Sequence, residues 1–338
     1  MSSKIRNLFF VVGIVAIVVM LFGFDISYAE IWAQLQQSGW WFLAAVAIWL
    51  PIYMLNTLAW RVIINDGKQQ PLGYWRTLKY TITGFIVNYI TPMGLLGGEP
   101  YRIMELKPYV GTAKATSSVL LYAMMHIFSH FVFWAFSIPL YLLLYFTSIT
   151  PILALMLAAG GGFCALGIYV FMKGYRNGFT TRALRLLTHL PFIRTWATRL
   201  VTEQAEELAR IDSQIAELHA TRRSTFYLSV SLEFLARVVG CAEIWFIMQM
   251  LPDGAHVGFL DCILIQSFTS LFANLFFFMP LGLGAREGGF ALAVGGLSIA
   301  SGFGVLTALV TRIRELIWIC IGLVLMRLWN TPQALRKT

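Results

Sequence analysis

Charged residues are scarce in this chain: Asp, Glu, Lys and Arg make up 12% of its 338 residues, against 58% apolar and 15% aromatic. That scarcity excludes an ordinary water-soluble domain, in which about a quarter of the residues are charged. Several runs lack charge over the about 20 helical residues needed to cross a roughly 30 Å hydrocarbon layer. They are too long and too uniformly apolar for barrel strands, and a backbone in lipid must satisfy its own hydrogen bonds. The chain reads as an all-α polytopic integral membrane protein.

Other absences narrow the chemistry. The four cysteines (Cys164, Cys241, Cys262, Cys320) lie inside apolar segments, too far apart for a ligand cluster or a disulfide framework, and read as small buried hydrophobes. The net charge of +9 comes with no basic stretch carrying interleaved aromatics outside the apolar segments, so nucleic acid is not an expected partner. No serine or cysteine nucleophile with a base and an orienting group is discernible. No glycine loop has the phosphate-cradle spacing with its lysine. His126 and His130 share a helix face, but the residues between them are "IFS", without the glutamate of a metalloprotease helix. Neither a metal nor a cofactor is expected, and the histidines read as interior residues or as neighbours that tune a glutamate's protonation.

What is present is a series of apolar spans, about seven in number. The first, Leu8 to Phe24, follows Lys4 and Arg6 and precedes "SYAE". A cleavable signal peptide has this outline, but 17 apolar residues exceed its usual core, and an uncleaved helix is the better reading. Then come Trp40 to Trp60, Val119 to Phe146, Pro151 to Met172, Thr225 to Met250, Phe259 to Met279 and Val305 to Leu328, the last three carrying charges. Two stretches, Tyr80 to Met93 and Phe290 to Ala300, are too short or too glycine-rich for full spans.

Lysine and arginine orient the spans. They crowd the N-terminus, the segments 61–79 and 102–114, the loop 173–223 and the C-terminal tail, and are missing from the loops 25–39, 147–150 and 251–257. The expected location is the cytoplasmic membrane, multi-pass, with both termini in the cytoplasm. The long cytoplasmic loop holds one amphipathic pattern, Trp196 to Ala220, with Leu200, Val201, Leu208, Ile211, Ile215 and Leu218 on one side.

The most polar interruption is "PMGLLGGEPYR", residues 92 to 102. Both flanks of its apolar arm are basic, which predicts a re-entrant hairpin entering from the cytoplasm and turning at Pro92, Gly94, Gly97 and Gly98. Broken backbone at membrane depth is tolerated only inside protein or beside a watery cavity. A second copy reads "MPLGLGAREGG", residues 279 to 289. Pro92 to Glu99 and Pro280 to Glu287 are both seven residues apart, glycines follow each proline (Gly94; Gly282, Gly284), Asn88 and Asn274 precede them, and Arg102 and Arg286 flank the glutamates.

Two re-entrant copies separated by three spans form an inverted repeat around a midplane cavity, within one membrane domain over 1–338: repeat one about 76–172, the loop 173–223, and repeat two about 224–330. Were both arms full spans, the copies would face the same way. Further intramembrane charges point to a polar interior. Glu233 and Arg237 stand one turn apart in the order that favours an ion pair, Glu243 follows on the same helix, and Arg312, Arg314 and Glu315 interrupt the last span.

The segments "NYITPMGLLGGEPYRIMEL" and "FFFMPLGLGAREGG" resemble the paired signatures of the lysylphosphatidylglycerol synthase transmembrane family, the flippase-like region of the multiple peptide resistance factor. The resemblance covers essentially the whole chain. It implies movement of a lipid across the cytoplasmic membrane, with the motif glutamates and arginines along its path. A stand-alone member is expected, without the soluble domain that aminoacylates phosphatidylglycerol, and stand-alone members are tied to differing lipids.

The expected function is a lipid flippase, not an enzyme, carrying an anionic phospholipid or lipid-linked precursor. Arg102, Arg286, Arg312 and Arg314 suit phosphate, which a guanidinium grips at two points. Glu99 and Glu287 pair with them or carry a coupling proton, and Asn88, His126, His130, Glu233, Arg237, Asn274 and Glu315 complete the expected path. Its partner is a membrane lipid with an anionic headgroup; a second copy of the chain or a lipid-synthesising enzyme are further expected partners. Two rivals remain: a headgroup-modifying enzyme using Glu99 or Glu287 as general base, and a scaffold that binds lipid without moving it.

Overall fold

The computed structural model describes residues 39–65, 72–90, 97–177, 223–250, 256–275, 285–297, 299 and 302–328. The expected helix Leu8 to Phe24 and the amphipathic stretch 196–220 lie outside them, as do Pro92, Gly94, Pro280, Gly282 and Gly284 and the side chains of Arg286 and Glu287.

All regular structure among the described residues is helical. Helices α1 (Trp40–Ala47) and α2 (Trp49–Ile64) are nearly continuous, and Pro51 sits in the first turn of α2, where a missing N–H costs nothing. Helix α3 is Tyr74–Ile90, α4 Gly98–Val110, α5 Thr112–Tyr145 and α6 Pro151–Asn177. After the long loop come α7 (Arg223–Met248), α8 (Phe259–Leu275), α9 (Ala285–Gly296) and α10 (Gly302–Arg327). Gly111 ends α4 with φ 80, and its N–H bonds the Lys107 carbonyl at 2.9 Å, the left-handed cap that only glycine adopts without strain. Pro151 opens α6, and Thr150 Oγ1 accepts the Leu153 N–H at 3.2 Å.

Among the described residues, three stretches are long and apolar enough to cross a membrane: Trp40–Ile64, Thr112–Ser148 and Pro151–Lys173. The molecule is a helical membrane protein. Helices α7 and α10, at 26 residues each, match the shorter two of these spans but bury charges, and α8 is a shorter apolar helix. The apolar arm beginning at Tyr80 is longer than its hydropathy indicates. It starts at Tyr74, because Lys79 is buried and its Nζ donates to the Leu328 carbonyl at the end of α10. The second motif likewise opens α9 at Ala285 rather than at Phe290.

The two motif copies share one local plan. A 17-residue helix (α3; α8) leads to the motif, a short helix of 13 or 12 residues follows (α4; α9), and a long helix comes next (α5; α10). Within each copy the first two helices run antiparallel. The Gly98 N–H meets Asn88 Oδ1 at 2.6 Å and Arg102 reaches the Thr81 carbonyl, while Gly289 packs on Thr269 and Gly288 on Phe272.

The copies also exchange contacts. Along α5 and α8, Tyr145 donates to Asp261 at 2.7 Å, Ser267 to Ser137 at 2.7 Å and Trp134 to Ser270 at 2.9 Å, an antiparallel register. Along α10 and α3, Gly322 sits on Ile86 and Leu328 on Lys79, again antiparallel. Helix α7 packs on α2, α5 and α8. Outside, α6 presents Ile152, Leu155 and Leu166, and α5 presents Leu143, as apolar faces for hydrocarbon.

Candidate functional site

Where α2, α3, α5, α7, α8, α9 and α10 converge, the interior opens into a cavity of about 250 Å³. Its wall mixes aromatics (Trp49, Tyr53, Phe85, Tyr89) with Asn56, Gln266, Asn274, His126, His130 and four charged residues, Glu233, Arg237, Glu243 and Arg314. Amides and ions inside a helical membrane protein are costly unless paired or wetted, so their convergence marks a place built for polar contents.

Arg314 is paired. Its Nε donates to Glu243 Oε1 at 2.7 Å and its Nη2 to Oε2 at 3.3 Å, a two-point grip, while the guanidinium carbon lies 3.8 Å from the Trp49 ring centroid. Trp49 Nε1 donates to the same carboxylate at 2.8 Å. Beside it, Arg312 Nη1 donates to Glu315 Oε2 at 3.1 Å, both groups buried. Of the arginines of the last span, Arg312 is balanced by its sequence neighbour Glu315 and Arg314 by Glu243 on α7.

Glu233 and Arg237 behave differently from the pairing their spacing predicts. Both turn across to α5. Glu233 Oε2 contacts His126 Nδ1 at 2.8 Å; a carboxylate accepts, so that nitrogen carries the proton. Arg237 donates to Ser129 Oγ at 2.8 Å, His130 Nδ1 at 3.0 Å and the His126 carbonyl at 2.6 Å. An arginine only donates, so His130 Nδ1 accepts and its proton is on Nε2. The i, i+4 pair yields to these contacts because three well-aimed acceptors on α5 hold the guanidinium more firmly than one carboxylate on the same helix. The two histidines are tied up by Glu233 and Arg237, and no cluster of three metal-ligating side chains exists among the described residues.

The first motif forms its own compartment. Glu99, in the first turn of α4, accepts from Asn88 Nδ2 at 3.1 Å and from Arg102 Nη1 at 3.5 Å, with its negative charge at a helix N-terminus. The Arg102 guanidinium is buried against Phe85 at 4.6 Å, Tyr122 at 5.3 Å and Trp60 at 5.9 Å. Gly97 is the N-cap of α4, and Gly98 and Gly84 permit the close crossing over which Arg102 lies. Neither Glu99 nor Arg102 lines the cavity; Phe85 belongs to both compartments. In the second copy, Asn274 lines the cavity and its Nδ2 bonds the Ser270 carbonyl at 2.7 Å, and the backbones of Arg286 and Glu287 open α9.

With this geometry in view, comparison with known proteins decides the family. The model of the lysylphosphatidylglycerol synthase TM region matches residues 9–322, nearly the whole chain and both motif copies. The chain belongs to this family. A UPF0104 membrane protein of Methanothermobacter thermautotrophicus is similar, 35% identical over 99 residues, which are 29% of this chain and 28% of that protein. The alignment thus covers less than a third of that relative. No solved structure matches the chain.

Reading the family's motifs does not find every residue of the cavity. Asn56 and Gln266 carry a signal that was legible, a carboxamide inside an apolar run, whereas Trp49, and Ser129 which holds Arg237 from behind the wall, carry none, since tryptophan and serine are ordinary in such helices.

Proposed function

We propose that this protein moves a lipid with an anionic headgroup between the leaflets of the cytoplasmic membrane, the headgroup passing through the polar cavity while its tails remain in hydrocarbon. The observation that carries the reading is a cavity lined by two arginines and two glutamates inside a helical body whose outer faces are apolar. A carrier needs a charge-complementary interior and an apolar exterior. The family, the transmembrane region of lysylphosphatidylglycerol synthase, supports a lipid as cargo.

An inverted repeat is the architecture we infer for it. The antiparallel pairings of α3 with α10 and of α8 with α5 support an inverted relation of the two copies, because each long helix runs with the first arm of its own copy and against that of the other. Such repeats rock around a central site in alternating access. Both arms are proposed as re-entrant hairpins, and both termini as cytoplasmic. For the first hairpin this predicts labelling from one side. Cysteines at Gly73 and Thr112, both exposed, are expected to react with a membrane-impermeant maleimide only from the cytoplasm, in a background with the exposed Cys320 replaced by serine. Leu72 is buried and unsuitable. Reaction of position 112 from outside would turn the hairpin into a full span.

The transport reading is tested in liposomes containing the purified protein and fluorescent phosphatidylglycerol, with a quencher added outside. Quenching beyond the outer-leaflet fraction, without chemical change in the lipid, is expected. Glu99→Gln is expected to slow it, since Arg102 then lies buried among aromatics with no carboxylate against it. Quenching no greater than in protein-free liposomes would remove the carrier reading. An altered headgroup would favour an enzyme.

A further inference from the structure

A headgroup whose tails stay in hydrocarbon has to reach an interior cavity sideways, between two helices, from one leaflet at a time. Two seams of this molecule have the form that such entry needs. The first joins α5 to α8. Tyr145 donates to Asp261 at 2.7 Å, Ser267 to Ser137 at 2.7 Å and Trp134 to Ser270 at 2.9 Å. Asp261 also accepts the Gly258 N–H at 3.0 Å, which steadies its carboxylate in the first turn of α8. The cavity stops where this ladder rises: among the described residues, none of α5 beyond Phe133 and none of α8 before Gln266 lines it.

The second seam joins α3 to α10 and is built differently. Ile82 and Ile86 of α3 share one buried apolar cluster with Leu323 and Met326 of α10, and Gly322 leaves room for Ile86 against its helix. At the end of the seam Lys79 donates to the Leu328 carbonyl, a cation at a helix C-terminus. Here too the cavity lies beyond the closure, with Phe85 and Tyr89 of α3 and Thr311 and Arg314 of α10 in its wall. The two closures are at opposite ends of the bundle. Tyr80, next to Lys79, packs in one cluster with Val119 near the start of α5, whereas Tyr145 ends that helix, about 40 Å away at about 1.5 Å per residue. Exposed apolar side chains flank both seams, Phe136 and Phe268 the first, Val324 and Leu328 the second, so each borders hydrocarbon.

We propose that these seams are two lateral portals to the cavity, α5 with α8 for the outer leaflet and α3 with α10 for the inner, each parting only while the other is shut. Tyr145, Asp261, Ser137 and Ser267 latch the outer portal. Lys79 and the apolar contacts around Ile86 latch the inner one. Hydrogen bonds between membrane helices are individually weak, so a few of them hold a seam and still let it part. The apolar contacts of the inner seam part at little cost because lipid tails replace them. The assignment of leaflets rests on the carrier reading and its cytoplasmic termini.

The test uses the full chain with the exposed Cys320 replaced by serine and with Ala273→Cys as a reporter in the cavity wall. Ser137→Cys with Ser267→Cys locks the outer seam on oxidation, and Ile86→Cys with Gly322→Cys locks the inner one. The serine hydroxyls are 2.7 Å apart, and a Cβ on Gly322 lies 3.3 Å from that of Ile86, within reach of a disulfide. Ala59→Cys with Ser229→Cys, across α2 and α7 where Ser229 meets the Ala59 carbonyl at 3.2 Å, is the control lock away from both seams. A membrane-impermeant methanethiosulfonate is applied to one face of vesicles at a time, and labelling is counted over the same protein with alanine at 273. With the outer seam locked, position 273 is expected to react only from the cytoplasm; with the inner seam locked, only from outside. Either lock is expected to stop movement of fluorescent phosphatidylglycerol in liposomes until dithiothreitol restores it, and the control lock is expected to leave both readouts at the parent level. Tyr145→Phe, which needs no disulfide, is expected to raise labelling from outside about threefold, the worth of one such bond. It carries the test if a locked protein does not elute as a monodisperse species.

Labelling of position 273 from the face whose seam is locked overturns the proposal, as does labelling from outside that Tyr145→Phe leaves unchanged. Lipid movement at the parent rate through either lock overturns it too, while leaving the carrier reading in place. A parent protein that moves no lipid, yet whose labelling switches sides with the locks, would remove the carrier reading and leave two alternating gates onto the cavity.

Discussion

Glu243→Leu is expected to cost about 3–5 kcal/mol of stability, the penalty for leaving a buried charge without its partner. Arg314 is 1% exposed, holds Glu243 at 2.7 and 3.3 Å and lies against Trp49. Without the carboxylate, Arg314 loses its two-point partner, while Glu315 stands farther off at 3.9 Å and is already engaged by Arg312, and Trp49 loses its acceptor. Thermal unfolding in detergent reads the loss. The double variant Glu243→Leu with Arg314→Met is expected to recover most of it, because two apolar side chains of similar volume need no pairing. An unchanged unfolding temperature in the single variant would mean that another acceptor holds the guanidinium and that α7 and α10 are not joined through this pair.

Gly98→Ala produces the second large effect, and Gly98→Val a larger one. A Cβ at position 98 overlaps the carbonyl oxygen of Gly84 and comes within 2.7 Å of Asn88 Oδ1. The first of these is backbone on a packed helix and does not swing aside, so α3 and α4 must separate. Overpacking of this kind costs about 1–3 kcal/mol. Separation also stretches the bond from the Gly98 N–H to Asn88, which steadies the amide that donates to Glu99. Gly160→Ala is the matched control. No atom outside its own helix lies within 4 Å of the Cβ, and alanine is the better helix former there, so unfolding is expected at the parent temperature or slightly above. If Gly98→Ala behaves like Gly160→Ala, the close crossing is not what the glycine serves.

The sequence by itself settled what depends on composition and local pattern. Long apolar runs with almost no charge leave a backbone in lipid no alternative to the helix, so the class followed without a single contact. The two motif copies and the family were legible because glycine, proline and an acid at fixed spacing survive as text. Each acid occupies the first turn of a short helix, Glu99 in α4 and Glu287 in α9. Even there the reading stopped early: hydropathy placed the first arm at Tyr80, since it could not know that Lys79 is buried against the end of a helix 249 positions later.

Partner choice was left to the tertiary structure. Glu233 and Arg237 have the spacing of a helical ion pair, worth a few tenths of a kcal/mol on an isolated helix. Packing of α5 against α7 brings Ser129, His126 and His130 within reach, and those contacts win. Arg314 finds Glu243 71 residues away for the same reason. Local pattern reports only neighbours three or four positions apart, whereas a buried charge in a low-dielectric interior takes the nearest well-aimed group that the packing of helices delivers. Which charges are neutralised, and which are left to face the cavity, is therefore a property of the assembled fold.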